Sequence, residues 1–357
     1  MLSNVFSRRI FYVRTDGRKQ SSKTLRKKRI ITVLSAAAAV VLLITAAFLI
    51  IIKTGESKLR ESAENNSAGL PADGGEIPEN ADAYYNGKAY NYNDRLINIL
   101  LIGVDRVSPG ANEKQQADAL YLVSLDTDND TVNITAISRN TVTDVDSYDI
   151  NGDFFATSKQ QICLAYSYGS DDKKRSENTV KAVSDFLYGI PVSGYYTIFM
   201  NSLEEIVDSV GGVPVTVTED MTAVDPRFKK GASLTLTGDN ALAYLRHRND
   251  SNAPRLERQK AFISSFISQA KKACLKDLSL PVKMYDKLAS NTVTDISASS
   301  AAYLATEAIG ADFNMLSIEG ESGNDGSYET FTADESALRK LLIENFYTEA
   351  KSAETED

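Results

Sequence analysis

Apolar and polar positions change rhythm several times along this chain. Ile30 to Ile52, IITVLSAAAAVVLLITAAFLIII, is 23 residues without a charge. A helix of that length spans roughly 34 Å, enough for the hydrocarbon of a bilayer. It exceeds the apolar region of a secretory signal, and no small-x-small cleavage pattern follows it, so it predicts an uncleaved transmembrane anchor. Residues 53–93 are polar and rich in Glu, Asn, Ala and Gly, which predicts a tether that buries no core. From residue 94 the pattern is that of a folded domain. LINILLIG (96–103) is a continuous apolar run, as in a strand buried on both faces. ALYLVSLD (119–126) and TVNITAIS (131–138) read as two more strands, joined into a hairpin by the turn DTDND. Helical spacing follows at 177–188, 200–210 and 255–272, with a strand at GGVPVTV (211–217) after a Gly-Gly stop. GDNALAYL (238–245) is amphipathic, and Thr237 is placed to cap it. Beyond Cys274, helices near 282–289, 297–308 and 334–346 flank a weak strand at FNMLSIEG. Interleaved strands and helices predict an α/β chain of mixed α+β kind, a central mixed β-sheet covered by helices over 94–347, before an acidic tail at 348–357.

Charge sharpens the topology. Residues 1–29 hold ten Lys/Arg against Asp16 alone, a balance of +9. The whole chain is −9, so residues 30–357 carry −18. A basic block can be a nucleic-acid arm. Beside an apolar span it is explained by the positive-inside bias: residues 1–29 are a cytoplasmic tail and residues 53–357 lie outside the cell. The expected partner surface is therefore a membrane and not nucleic acid. Cys163 and Cys274 are the two cysteines; one disulfide is open to them, and two buried thiols are the simpler reading. No Cys/His spacing suits zinc. The single histidine, His247, has no nucleophile motif near it and reads as a surface residue.

The chemistry gathers at strand ends. Asp105 ends the first strand and Asp118 begins the second, and the short loop between them suits antiparallel neighbours. The third strand runs back, so Arg139 returns to the same edge of the sheet. Two carboxylates at one site repel unless a cation lies between them or one is protonated. All-oxygen ligation suits Mg²⁺, or Mn²⁺, which keeps waters and takes substrate phosphates.

A second concentration lies at AYLRHRNDSNAPRLERQ, residues 243–259, with Arg246, His247, Arg248, Arg255 and Arg258 inside an acidic segment. Arg246 and Arg248 share a face only if that stretch is extended. Pro254 favours a helix start, and Arg255 and Gln259 are then i, i+4 in line with Phe262, Ile263 and Phe266, on the inward stripe. The N-terminus of such a helix favours an anion, and guanidinium binds phosphate bidentately. For Arg258, a surface salt bridge is as good a reading as function.

These residues resemble the LytR-CpsA-Psr family. The resemblance rests on NILLIGVDR, ADALYLVSLD, AISRNT, AYSYG, YGIPVSGYYTIFMNSLEEIVDSVGGVPVTV, LTGDNALAYLRHR and RLERQ in that order, over about residues 94–347. It implies a membrane-anchored extracellular phosphotransferase. Such an enzyme moves an anionic glycopolymer from a polyprenyl-pyrophosphate carrier to a peptidoglycan sugar hydroxyl, with the lipid tail in an apolar pocket. It implies that Asp105 and Asp118 hold Mg²⁺. It implies that Arg139, Arg246, Arg248, Arg255, Gln259 and Arg106 face the pyrophosphate, and that Asp105, Arg139 and Arg246 act in catalysis. Four positions depart from the family pattern: Gln116 stands for Arg, Asn140 for Asp, Gln161 for Lys and Asn252 for Asp. Each removes a charge and leaves room for altered activity. A non-catalytic binder of polyprenyl phosphate or wall polymer is the second reading. A DNA-binding regulator is the third, and it would need a cytoplasmic domain larger than 29 residues.

Overall fold

The run at 96–104 forms a strand because its side chains alternate between two cores, one on each face of a sheet. A computed structural model describes residues 51–63, 68–106, 109–110, 115–149, 151–247, 253–326 and 328–350, with backbone alone for 200–201 and 253–257. In chain order, a helix at 51–63 (α1) leads to β1 (Ala83–Tyr85), β2 (Lys88–Tyr92), β3 (Leu96–Val104), β4 (Ala117–Asp126) and β5 (Thr131–Ile137). A hairpin of β6 (Val142–Tyr148) and β7 (Phe154–Gln161) precedes α2 (Asp172–Phe186), β8 (Gly194–Ile198) and α3 (Met200–Ser209). Next come β9 (Val213–Thr216), β10 (Ser233–Leu236), α4 (Gly238–Arg246), α5 (Ala253–Lys276) and α6 (Leu280–Leu288). The chain closes with β11 (Thr292–Thr294), α7 (Ala298–Gly310), β12 (Asp312–Ser317), β13 (Gly320–Asn324), β14 (Glu329–Ala333), α8 (Glu335–Phe346) and β15 (Tyr347–Glu349).

The central sheet has six strands in the order β11-β8-β3-β4-β5-β12. It is mixed: β3 and β4 pair antiparallel, as do β4 and β5, while β8 lies parallel to β3 and β12 parallel to β5. Leu100, Ile102, Leu120 and Leu122 point to one face, into a core shared with Val183 of α2 and Leu342 of α8. Ile97, Ile99, Leu125 and Ile134 point to the other, toward Leu59 of α1, Tyr303 of α7 and Ile263 of α5. A satellite core joins Val207 of α3, Val213 of β9, Tyr244 of α4 and Phe262 of α5. Local sequence sets the helix starts. Asp171 caps α2 by accepting from the Lys174 amide, and Thr237 with Asn240 closes a capping box on α4.

Two boundaries differ from expectation. Residues 53–93 are not a free tether where they are described. Leu59 is 2% exposed, Leu70 1% and Ala83 0%, and β2 pairs with both β1 and β15. The stretch is polar in composition, yet its few apolar side chains each find a core position, and strand pairing supplies the rest. Of the tail expected at 348–357, Thr348 and Glu349 belong to β15 and pair with Asn91 and Tyr90. The anchor expected at Ile30–Ile52 and the tail at 1–29 lie outside the described residues, apart from Ile51 and Ile52, which are in α1. No helix among the described residues is long and apolar enough to cross a membrane. Cys163 and Cys274 are free thiols, the first buried and the second partly so.

Candidate active site

β3 and β4 carry their carboxylates to one edge through a register shift at Gly103/Val104, a bulge that re-aims the residues after it. Gly103 suits the close approach there, because a Cβ would meet the Ala119 Cβ at 3.0 Å and push it aside by a few tenths of an ångström. Past the bulge, the Asp105 amide donates to Asp118 Oδ2 at 3.2 Å. Arg139, two residues beyond β5, turns back so that Nη1 donates to Asp118 Oδ1 and Nη2 to Gln116 Oε1. Arg246, the last residue of α4, donates from Nη2 to Asp105 Oδ2 at 2.5 Å. The result is a linked chain, Arg246–Asp105–Asp118–Arg139, along one sheet edge, with the two acids inside and a guanidinium group at each end. The carboxylate repulsion is met here by two guanidinium groups. The pairs are half-exposed, with side chains at 49% and 43% for Arg246 and Asp105 and at 28% and 29% for Arg139 and Asp118, so a solute can reach them.

The apolar face beneath this edge is unevenly covered. Ile97 is 0% and Ile99 5% exposed, but Leu101, next on the same face and closer to Asp105, is only partly buried. Tyr121, Val123 and Tyr196 on the neighbouring strands are likewise half-covered, with Ile263 and Ile267 of α5 across from them. Interior strands normally bury such side chains. A partly covered apolar face that opens at a charged edge suits a ligand with an ionic head and a hydrocarbon tail.

Of the residues expected at the site, Asp105, Asp118, Arg139 and Arg246 are brought together. Gln259 is half-buried on α5. Arg248 and the side chain of Arg255 lie outside what is described, although Arg255 falls in the first turn of α5, where the helix begins at Ala253. Arg106, also expected to face the pyrophosphate, is buried against Asp172. It is 6% exposed, its Nη2 donates to Asp172 Oδ2 at 2.6 Å, and its guanidinium stacks on Phe199 at 4.6 Å. The residue after Asp105 turns into the core, where Arg106 pairs with Asp172. Burial pushes the Asp172 carboxyl up, but Arg106, the Gly110 amide and Arg175 outweigh it and hold the group below the usual carboxylate range.

Arg258 is the residue that sequence reasoning undervalued. It is 1% exposed, with Nη1 on Glu219 and Nη2 on the His247 carbonyl. The available signal was its i, i+4 spacing to Phe262, which places it on the buried stripe. Cys163 also touches the site, accepting from Arg139 Nη2 at 3.9 Å. Burial raises its thiol pKa, so it is a neutral neighbour and not a thiolate nucleophile.

Two of the four departures partner each other. Gln161 Nε2 donates to Asn140 Oδ1 at 3.2 Å and also to the Glu329 carbonyl, while Asn140 Nδ2 reaches Glu329 Oε2 at 3.4 Å. A neutral amide pair thus stands where the family pattern has Asp and Lys, and the net charge is unchanged. Gln116, the third departure, accepts from Arg139. Asn252 lies outside the described residues.

Residues 54–345 match the LytR_cpsA_psr family model. The chain belongs to the LytR_cpsA_psr family. Among relatives of this LytR_cpsA_psr chain is the polyisoprenyl-teichoic acid–peptidoglycan teichoic acid transferase TagV of Bacillus subtilis (strain 168), 29% identical over 78% of the chain and 73% of TagV. TagU of Bacillus mycoides, named for the same transfer, is 31% identical over 43% of the chain and 45% of TagU. The crystal structure of B. subtilis TagV superposes with a TM-score of 0.55 at 27% identity, over 70% of this chain and 96% of that one. A structure described as TagT bound to LIIa-WTA superposes at 0.53 and 24% identity, over 71% and 91%, and shows the shared fold. The mixed sheet covered by helices is therefore the LytR_cpsA_psr fold.

Proposed function

We propose that this chain is a membrane-anchored extracellular phosphotransferase of cell-wall assembly. It moves an anionic glycopolymer from a polyprenyl-pyrophosphate carrier to a sugar hydroxyl of peptidoglycan. The observation that carries the reading is the Arg246–Asp105–Asp118–Arg139 chain at the mouth of a half-covered apolar face. Relatives named as teichoic acid transferases support it. In the reaction, an acceptor hydroxyl oxygen bonds to the phosphorus bearing the polymer, and the pyrophosphate P–O bond breaks. The hydroxyl proton is lost and polyprenyl phosphate departs. Such transfer needs positioning and charge neutralisation more than covalent help.

Arg139 and Arg246 would face the pyrophosphate, exchanging part of their carboxylate contacts for phosphate oxygens. The four described charges sum to zero, so the surplus that holds an anion is assigned to Arg248 and Arg255, with Gln259 as a neutral donor. Asp105 and Asp118 would hold a hard divalent cation, Mg²⁺ or Mn²⁺, because the Asp105 amide on Asp118 Oδ2 keeps the two acids together at one edge and such ions take carboxylate oxygens along with water and substrate phosphates. Bound there, the ion would neutralise charge on the transferred phosphate. The apolar run Ile30–Ile52 would hold the enzyme at its membrane-bound donor and raise the effective concentration.

The test is incubation of the full chain in detergent with a lipid-pyrophosphate-linked sugar, peptidoglycan and Mg²⁺, followed by mass analysis of the wall product. Phosphodiester-linked sugar on peptidoglycan is expected, and it should disappear in Asp105→Ala and Arg246→Lys. Tight lipid binding with no transfer would favour a non-catalytic carrier-binding protein instead.

A further inference from the structure

We infer that Arg258 is a positioning residue whose buried guanidinium sets where Arg246 stands. The inference rests on reading the Asp105–Arg246 edge as an anion site. Arg258 lies in the second turn of α5, yet its contacts are with the end of α4 and the excursion after β9. One Nη donates to the His247 carbonyl, the other to the Glu219 carboxylate, and the guanidinium carbon sits 5.7 Å from the centre of the Tyr244 ring. His247 is the C-cap of α4 and directly follows Arg246.

The last carbonyls of a helix lack intrahelical partners, and a cation there also meets the negative end of the helix dipole. Arg258 supplies both, from a different helix. α4 is therefore fixed at each end, by the capping box of Thr237 and Asn240 at its start and by Arg258 at its finish. That second clamp grips His247, the residue next to Arg246. The reach of Arg246 to Asp105 Oδ2 at 2.5 Å depends on it.

The site suits arginine alone. Two separate acceptors and an aromatic face are served by one planar fork, and the residue is 1% exposed, so its charge has fixed partners in place of bulk water. A lysine would reach one acceptor and present no plane to Tyr244. Glu219, with 18% of its side chain exposed, compensates the buried charge and holds the fork in its orientation.

The experiment compares Arg258→Lys and Glu219→Gln in the full chain, each in the wild-type and Arg246→Ala backgrounds. Farnesyl pyrophosphate is titrated, and hydrogen exchange is followed over residues 241–247 and over α2. In the wild-type background, loss of the fork should weaken binding by about tenfold, the scale of one charge-assisted hydrogen bond. In the Arg246→Ala background it should cost nothing further. Exchange over 241–247 should quicken while α2 is unchanged. Equal losses in both backgrounds, or unchanged exchange over 241–247, would overturn the inference. Failure of the wild-type chain to bind the pyrophosphate would refute the functional reading, and the exchange measurement would still decide the positioning. If Arg258→Lys does not fold, Glu219→Gln carries the same comparison.

Discussion

Replacing Arg106 by Met separates two roles that the sequence leaves open, a ligand for phosphate and a partner for Asp172. The side chains of Arg106 and Asp172 are 6% and 7% exposed, so the pair is desolvated. Removing one member of a buried pair costs about 3–5 kcal/mol, because the other charge is left poorly compensated. Asp172 would keep the Gly110 amide at 2.8 Å, Arg175 at 3.2 Å and the Tyr166 hydroxyl at 3.3 Å. Those partners place the loss at the lower end, about 3 kcal/mol. In a domain of this size each kcal/mol lowers the unfolding midpoint by about 2 °C, so Tm should fall by roughly 6 °C. Adding Asp172→Asn should recover part of it, since the stranded charge is gone. Thermal unfolding of the full chain by circular dichroism reads the stability, and titration with farnesyl pyrophosphate reads the site. Affinity should stay within about threefold of wild type, well under the cost of a lost charged hydrogen bond. An unchanged Tm together with a tenfold loss of affinity would refute the reasoning and return Arg106 to the phosphate.

Four further outcomes are expected. Leu101→Trp should fill the half-covered apolar face and weaken farnesyl pyrophosphate binding by about tenfold while leaving inorganic pyrophosphate unaffected; equal effects on both would deny the face a role in holding hydrocarbon. Asn140→Asp should destabilise by about 1 kcal/mol, since it sets a carboxylate against Glu329, and Gln161→Lys added to it should restore stability; simple additivity in thermal melts would show that the two amides are not a unit. The Asp172 carboxyl is held below its ordinary value, so its contribution is complete above about pH 4 and is lost as pH falls through the depressed folded value; Tm should drop more steeply in acid for wild type than for Asp172→Asn, and parallel curves would contradict this. Cysteines placed singly at residues 76–80, an exposed stretch, should react with a membrane-impermeant thiol reagent in intact cells, whereas reaction at 15–25 instead would reverse the orientation.

The sequence determined three strands, read at 96–103, 119–126 and 131–138 and formed at 96–104, 117–126 and 131–137, because continuous or alternating apolar runs broken by turn residues admit few other structures. It also determined that Asp105, Asp118 and Arg139 meet, since two short connections between antiparallel strands leave no freedom about which ends adjoin. The family followed from the order of several motifs. Short strands such as β1, β2 and β15 were not legible. Three to five residues carry too little periodicity, and β15 reaches β2 from far along the chain, as Tyr347 pairs with Tyr92, although the Asn86-Gly87 turn joining β1 to β2 was an available hairpin signal. Only the tertiary structure decided the fates of the arginines. Arg106 and Arg258 have the composition of surface cations, and both are buried, because Asp172 and Glu219 come to them from 66 and 39 residues away. The same holds for Asn140 and Gln161, which look like two separate losses of charge and are one hydrogen-bonded pair across 21 residues. A charge's neighbours fix whether it binds a ligand or holds the fold together, and in this chain those neighbours are set by packing and not by adjacency.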